Sequence, residues 1–281
     1  MSQMLLDHFQ RQVVHGVSLL AAVLLTGSVL FGQQTNPSAR PRGWDQGQPA
    51  HPFSDWNDTP MASTEPQPPC PGSNLVTVQE LNHNVPKKAR KEVEKAERAH
   101  AKNQIGEAIV HFKQAILIDP IFVAARNNLA AIYLRAANPE PAIAQLEEAV
   151  KIDPHHPILF KNLTVGYIMI HNFEAAERVA RVTLGLDRTG SRAPMLLGFV
   201  LVNRQKFNEE ALQCFERAHD EYPLAHLLAG RVLIAQGNSE KAKSEIQTYL
   251  SSGEQTFRVT ATNWLDVINQ SEQRSAAVLP H

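Results

Sequence analysis

The sequence predicts an all-α fold: a solenoid of about five helix hairpins, closed by one further helix and preceded by a segment without regular structure. Three observations carry that expectation. A set of small, aromatic and proline positions recurs at a spacing of 34 residues through the C-terminal two thirds of the chain. Asp-Pro or Tyr-Pro pairs punctuate the repeat where a helix must stop, because the residue before proline is pushed out of the α region. Half of the 18 prolines fall within residues 33–73, where they forbid helices and central strands alike.

Residues 1–32 read as an address. No Asp, Glu, Lys or Arg lies between Arg11 and Arg40, and Val17 to Phe31 forms a largely apolar run interrupted by the small residues Thr26, Gly27 and Ser28. The run is short for a membrane span of about 20 residues but suits the apolar region of a signal peptide. Cleavage after Gly32, or after Ser28 with Thr26 two residues upstream, would release the remainder. Extended back through Val13 and Val14, the same run spans about 19 residues, enough for an uncleaved anchor with little tilt. Both readings place the rest of the chain outside the cytoplasm, in the periplasm or cell envelope. Membrane association is expected only for the uncleaved form.

Residues 33–84 read as a disordered, proline-rich linker. Almost nothing aliphatic is present to bury. Trp44, Phe53 and Trp56 stand in it either as incidental aromatics or as a short docking motif, since aromatics favour interfaces. Cys70 and Cys214 are too few for a disulfide scaffold or a structural zinc site.

The repeats follow. Ala108, Ala115, Asp119 and Pro120 return as Ala142, Ala149, Asp153 and Pro154, and the spacing of Ala108, Phe112, Ala115 and Pro120 returns in Ala211, Phe215, Ala218 and Pro223. On the helix before, Leu129, Ala130 and Tyr133 return as Leu163, Thr164 and Tyr167, then as Leu197, Gly198 and Leu201. Each unit is read as two antiparallel helices with small residues where the axes cross. A single hairpin cannot bury its apolar faces, so hairpins must stack. The units fall near 89–122, 123–156, 157–190, 191–223 and 224–252. A closing helix spans 256–270, with Phe257, Trp264, Leu265 and Ile268 available to cover the last face, and 271–281 forms a flexible tail. The third unit carries Arg188 where proline belongs. The first helix of unit one is highly charged, with Glu94 and Arg98 at helical pairing distance.

This pattern resembles the tetratricopeptide repeat family over roughly residues 86–252. The resemblance implies a right-handed superhelix whose concave face, formed mainly by the first helix of each unit, binds a peptide or another protein. Carried onto this chain, it implies a partner-binding groove from Asn127, Asn128, Ala131 and Arg135 in unit two. Unit three would add Ile158, Lys161, Asn162, Val165, Ile168 and Met169, and unit four Arg192, Met195, Phe199 and Asn203. Asn128 and Asn162 lie 34 apart, and an amide both donates to and accepts from an extended main chain. The basic clamp that some members use for a terminal carboxylate is incomplete here.

Other function classes find little support. The chain has 27 basic against 28 acidic residues, and residues 86–270 carry 23 against 21, without the basic excess of a nucleic-acid binder. No phosphate loop, dinucleotide fingerprint, zinc-protease motif or nucleophile elbow occurs. The expectation is therefore a non-enzymatic adaptor or scaffold without a cofactor. The alternative is a metal-binding or enzymatic protein that uses His155 and His156, or His219, Asp220, Glu221 and His226, in turns between helices.

Overall fold

A computed structural model describes residues 84–278, and all their regular structure is helical. The expectations for residues 1–83, including the export segment, the linker, Trp44, Phe53, Trp56 and Cys70, lie outside the described residues. The chain divides into two compact units at His171/Asn172.

The unit ending at His171 contains α1 (Lys87–Ala101), α2 (Ile105–Ile118), α3 (Val123–Arg135), α4 (Pro139–Ile152) and α5 (Pro157–Met169). Each helix packs on the next, and the first helices α3 and α5 also touch. The core begins with Ala96, Ala99, Ala108, Phe112, Ala115, Ala125, Leu129 and Ile132. Alanines at the hairpin crossings let two backbones approach, and Phe112 fills the gap to α3. Gly166 does the same for α5, since a Cβ there would lie 2.8 Å from Cγ1 of Ile143 on α4. Two polar bonds tie helices together across this core. His111 Nδ1 meets Glu92 Oε2 at 2.7 Å, and the Tyr167 hydroxyl donates to Glu147 Oε1 at 2.6 Å.

The unit beginning at Asn172 contains α6 (Phe173–Leu186), α7 (Arg192–Asn203), α8 (Glu209–Glu216), α9 (Leu224–Ala235), α10 (Ser239–Ser251) and α11 (Arg258–Val278). Here too each helix packs on the next, and first helices α7 and α9 touch. Gly198 and Gly230 mark the crossings: a Cβ on Gly198 would stand 2.7 Å from Phe215 Cε1, and one on Gly230 2.8 Å from Ile246 Cγ1. Asn172, Asn208 and Asn238 cap second helices, their side chains accepting from the backbone N–H of Ala175, Ala211 and Lys241. The second helix α8 is short. Beyond it, bonds such as Ala218 N to Phe215 O and Tyr222 N to Ala218 O carry the backbone through turns to Pro223.

Hairpin turns share one geometry. Asn103, Ala137, His171, Gln205 and Gly237 all have positive φ, between 54° and 79°. Their bonds close the preceding helix, as in Asn138 N to Tyr133 O at 2.9 Å and Lys206 N to Leu201 O at 2.9 Å. Second helices end on Asp119, Asp153 and Asp187, all with φ between −138° and −119° and ψ between 87° and 89°. Proline enforces this after Asp119 and Asp153. At Asp187, followed by Arg188, the aspartate does it alone: its Oδ1 accepts from Gly190 N at 3.0 Å.

The last helix departs from the sequence expectation. It runs to Val278 rather than ending near Gln270, so most of the expected tail is helical. Residues 271–278 contain neither glycine nor proline, and the first breaker is Pro280. Trp264 and Ile268 are buried, Phe257 and Leu265 half-buried. Lys243 on α10 pairs with Glu272 on α11.

Candidate functional site

The polar residues expected to line a groove converge in the unit ending at His171. Asn162 on α5 donates from Nδ2 to Asn127 Oδ1 on α3 at 2.8 Å, and Asn127 donates onward to Asn128 Oδ1 at 3.4 Å. Asn162 and Asn127 are 1% and 4% exposed, whereas Asn128 is half-buried. Burial demands that amides be bonded. Here the demand is met by a chain that runs across two first helices and ends on Asn128. The Nδ2 of Asn128 has no acceptor among the described residues. That amide is the open end of the chain.

The other expected groove residues divide by burial. In the same unit Val165 is buried, Lys161 and Met169 are half-buried, and Arg135 is exposed. In the unit beginning at Asn172, Met195 and Phe199 are buried, while Arg192 and Asn203 are half-buried. Asn203 Nδ2 donates to Phe199 O of its own helix at 2.9 Å. Touching first helices bury the side chains between them, and that packing takes Val165, Met195 and Phe199 out of reach.

Two residues on the same helix face escaped the sequence reading. Glu97 stands 34 before Ala131 and 68 before Val165. Its Oε1 is enclosed and has no hydrogen-bond partner. Burial, reinforced by the charge of Glu94 and opposed by Arg98, pushes its carboxyl up to about 8. Arg231 follows Gly230 as Phe199 follows Gly198, and it is 8% exposed. The repeat register was the available signal. In the first unit it was masked by a helix rich in charge, and in the fifth by the shortened junction.

The histidine clusters do not converge. His219 and His226 stack with ring centroids 4.9 Å apart, so their nitrogens lie at ring edges rather than around a shared point. His226 Nδ1 meets Glu245 Oε2 at 2.7 Å, and His219 Nδ1 meets Asp220 Oδ1 at 3.0 Å. His155 is exposed, while His156 is half-buried with an enclosed Nδ1, and burial lowers its basicity. Among the described residues no group of three or more His, Cys, Asp or Glu could hold a metal ion. Burial also pushes the Cys214 thiol up to about 11, which suppresses the thiolate needed for covalent chemistry.

Residues 99–165 match the family model described as tetratricopeptide repeat. That stretch is similar to the tetratricopeptide repeat family. Solved structures share the fold of these repeats. A crystal structure of MamA protein aligns with a TM-score of 0.55 at 19% identity, covering 59% of this chain and 91% of that one. MamA 41-end from Desulfovibrio magneticus RS-1 aligns with a TM-score of 0.56 at 15% identity, covering 61% of this chain and 100% of that one. YrrB, described as a TPR protein with an unusual peptide-binding site, aligns at 0.55 and 17% identity, covering 66% of this chain and 95% of that one. No curated protein matches the sequence. Tetratricopeptide repeats are protein-interaction modules, and the match over residues 99–165 supports that general kind of function.

Proposed function

We propose that this tetratricopeptide repeat protein is a non-enzymatic adaptor, exported to the cell envelope, that holds a protein partner along the concave face of its first helices. The amide chain from Asn162 through Asn127 to Asn128 carries the reading. Two of its members are satisfied internally, which fixes the orientation of the third. A fixed amide with a free donor suits the carbonyl of an extended peptide, which offers acceptors regardless of side-chain identity. The structure described for YrrB, a peptide-binding repeat protein of similar fold, supports the same kind of partner.

The test is affinity capture from a native envelope fraction, identification of the partner by mass spectrometry, and Kd measurement with variants. Asn128→Ala is expected to weaken binding while leaving Tm unchanged. Asn162→Ala is expected to lower stability by about 1–3 kcal/mol, because it removes a buried amide bond between α3 and α5. An unchanged Kd for Asn128→Ala would remove the amide chain from the binding surface.

A further inference from the structure

Six large apolar side chains are exposed among the described residues, and three of them, Val110, Leu117 and Ile121, belong to α2 and the turn after it. Val110 and Leu117 are 63% and 73% exposed, and a spacing of two helical turns puts them on one stripe of α2. The repeat register shows that packing does not require them. Each second helix can be counted from its buried alanine: Ala108, Ala142, Ala176 or Ala242. The positions of Val110 and Leu117 are then held by Ala144 and Lys151 on α4, Arg178 and Gly185 on α6, and Ser244 and Ser251 on α10. All of these are exposed as well. The first hairpin therefore sets branched aliphatic side chains where α4, α6 and α10 set small or polar ones.

That hairpin is the one joined directly to the upstream chain, and the two are opposite in charge. Residues 43–86 contain no Lys or Arg and five acidic residues, Asp45, Asp55, Asp58, Glu65 and Glu80. Residues 87–113 contain eight basic residues against four acidic ones. Lys113 is exposed, lies between Val110 and Leu117 along α2, and makes no ion pair among the described residues. The acidic stretch also holds Phe53 and Trp56, with Asp55 and Asp58 beside them. Two rings three residues apart supply the apolar area that would cover such a stripe. Reach is ample, since the 28 residues from Trp56 to Asn84 can extend up to roughly 90 Å. The 15 residues of α1 span only ~22 Å. A second copy fits less well: a stable dimer buries about 800 Å² on each partner, far more than three aliphatic side chains offer. A segment of the same chain needs less, because tethering holds it at an effective concentration in roughly the millimolar range.

We propose that Val110, Leu117 and Ile121 form a docking surface for the chain's own segment 53–58. Phe53 and Trp56 cover the apolar stripe, and Asp55 or Asp58 pairs with Lys113. Exposed ion pairs contribute little by themselves, so the rings carry the affinity and the charges select the segment. The contact ties the upstream stretch to the first hairpin and shortens the path between residues 1–32 and the repeats. It uses a second helix rather than the first helices that carry Asn127, Asn128 and Asn162, so it is independent of what the groove holds.

The experiment treats the full chain with a carbodiimide, which joins a carboxylate directly to a lysine, and maps the links by mass spectrometry. Mixing isotope-labelled with unlabelled protein separates links within a chain from links between chains. Wild type is expected to link Asp55 or Asp58 to Lys113 within one chain. Phe53→Ser with Trp56→Ser should lower the yield of that link by about tenfold, because the rings that hold the segment are gone. Both substitutions lie outside the repeats, so the Tm of the repeats should not move. Val110→Ser with Leu117→Ser should lower the yield to the same extent. Serine already stands at both positions on α10, and circular dichroism checks that the helices are kept. Absence of the link in wild type would overturn the inference. So would a link that survives loss of both rings, since charge alone would then account for it. Retention of the link in Val110→Ser with Leu117→Ser would remove the segment from this stripe. Links found only between chains would give the stripe to a second copy and overturn the inference equally.

Discussion

Glu97 and Gly198 show how single residues set the terms of packing. The Glu97 carboxyl is raised to about 8 from an ordinary value of 4.5, chiefly by burial. Its folded pKa exceeds its unfolded one, so the stability it contributes is complete below about 4.5 and is lost as pH rises through 8. Glu97→Gln stays neutral throughout, and its Tm should rise relative to wild type between pH 6 and 9. A Tm difference that is flat over that range would show the carboxyl is solvated. Gly198 is constrained from the other side. Alanine there gains about 1 kcal/mol of helix propensity, but its Cβ would enter the Phe215 ring edge and approach Cys214 Cβ at 3.1 Å. Overpacking costs about 1–3 kcal/mol, so after the propensity gain Gly198→Ala is expected to destabilise by up to about 2 kcal/mol in urea unfolding. The small residue was legible from the 34-residue register. The carboxylate was not, because a glutamate within a charged helix looks solvated until its neighbours are placed.

At the scale of elements, the hairpin turns and one ion cluster do most of the positioning. Positive φ at Asn103, Ala137, His171 and Gln205 forces a Cβ into the left-handed region, whereas Gly237 accepts it without strain. A left-handed residue costs about 1–2 kcal/mol, and glycine returns about 0.4–1 kcal/mol of that in unfolded-chain entropy. Ala137→Gly should therefore stabilise by about 0.5–1 kcal/mol, measured as a shift in denaturation midpoint without a change in slope. Glu177, buried on α6, receives Arg181 from its own helix, Arg204 just past α7 and Lys206 in the following turn. Burial works to raise its carboxyl, but the bonds from Lys206, Arg181 and Arg204 prevail and hold it at about 2. Its stability is thus present above the unfolded value near 4.5 and disappears as pH falls toward 2. Glu177→Gln should cost about 1–3 kcal/mol at neutral pH and flatten that acid limb, because the cations that lose their common anion are partly exposed and Arg181 keeps Glu210. The sequence announced the helices, their order and most of their ends. It did not announce this cluster, whose members lie 4, 27 and 29 residues from Glu177 and meet only once α6, α7 and the turn after it are packed. Nor did the missing proline at Arg188 matter, since an aspartate with its own backbone bond ends α6 equally well.

For the whole molecule, the repeats and the upstream residues make separate demands. The unit ending at His171 carries an amide, Asn128, at the open end of a buried chain of amides. The apolar run from Val17 to Phe31 and the proline-rich stretch after it lie outside the 34-residue repeat. Such a run at the head of a repeat domain makes physical sense as an export signal, and that reading has its own consequence. Alkaline phosphatase, which folds only where disulfides form, should become active in a bacterial host when fused after residue 84 of the native chain. The same fusion without residues 1–32 should be inactive although equally abundant. Inactivity of both fusions would place the repeats in the cytoplasm, where the partner would then have to be sought, and equal activity of both would show that residues 1–32 are not the signal.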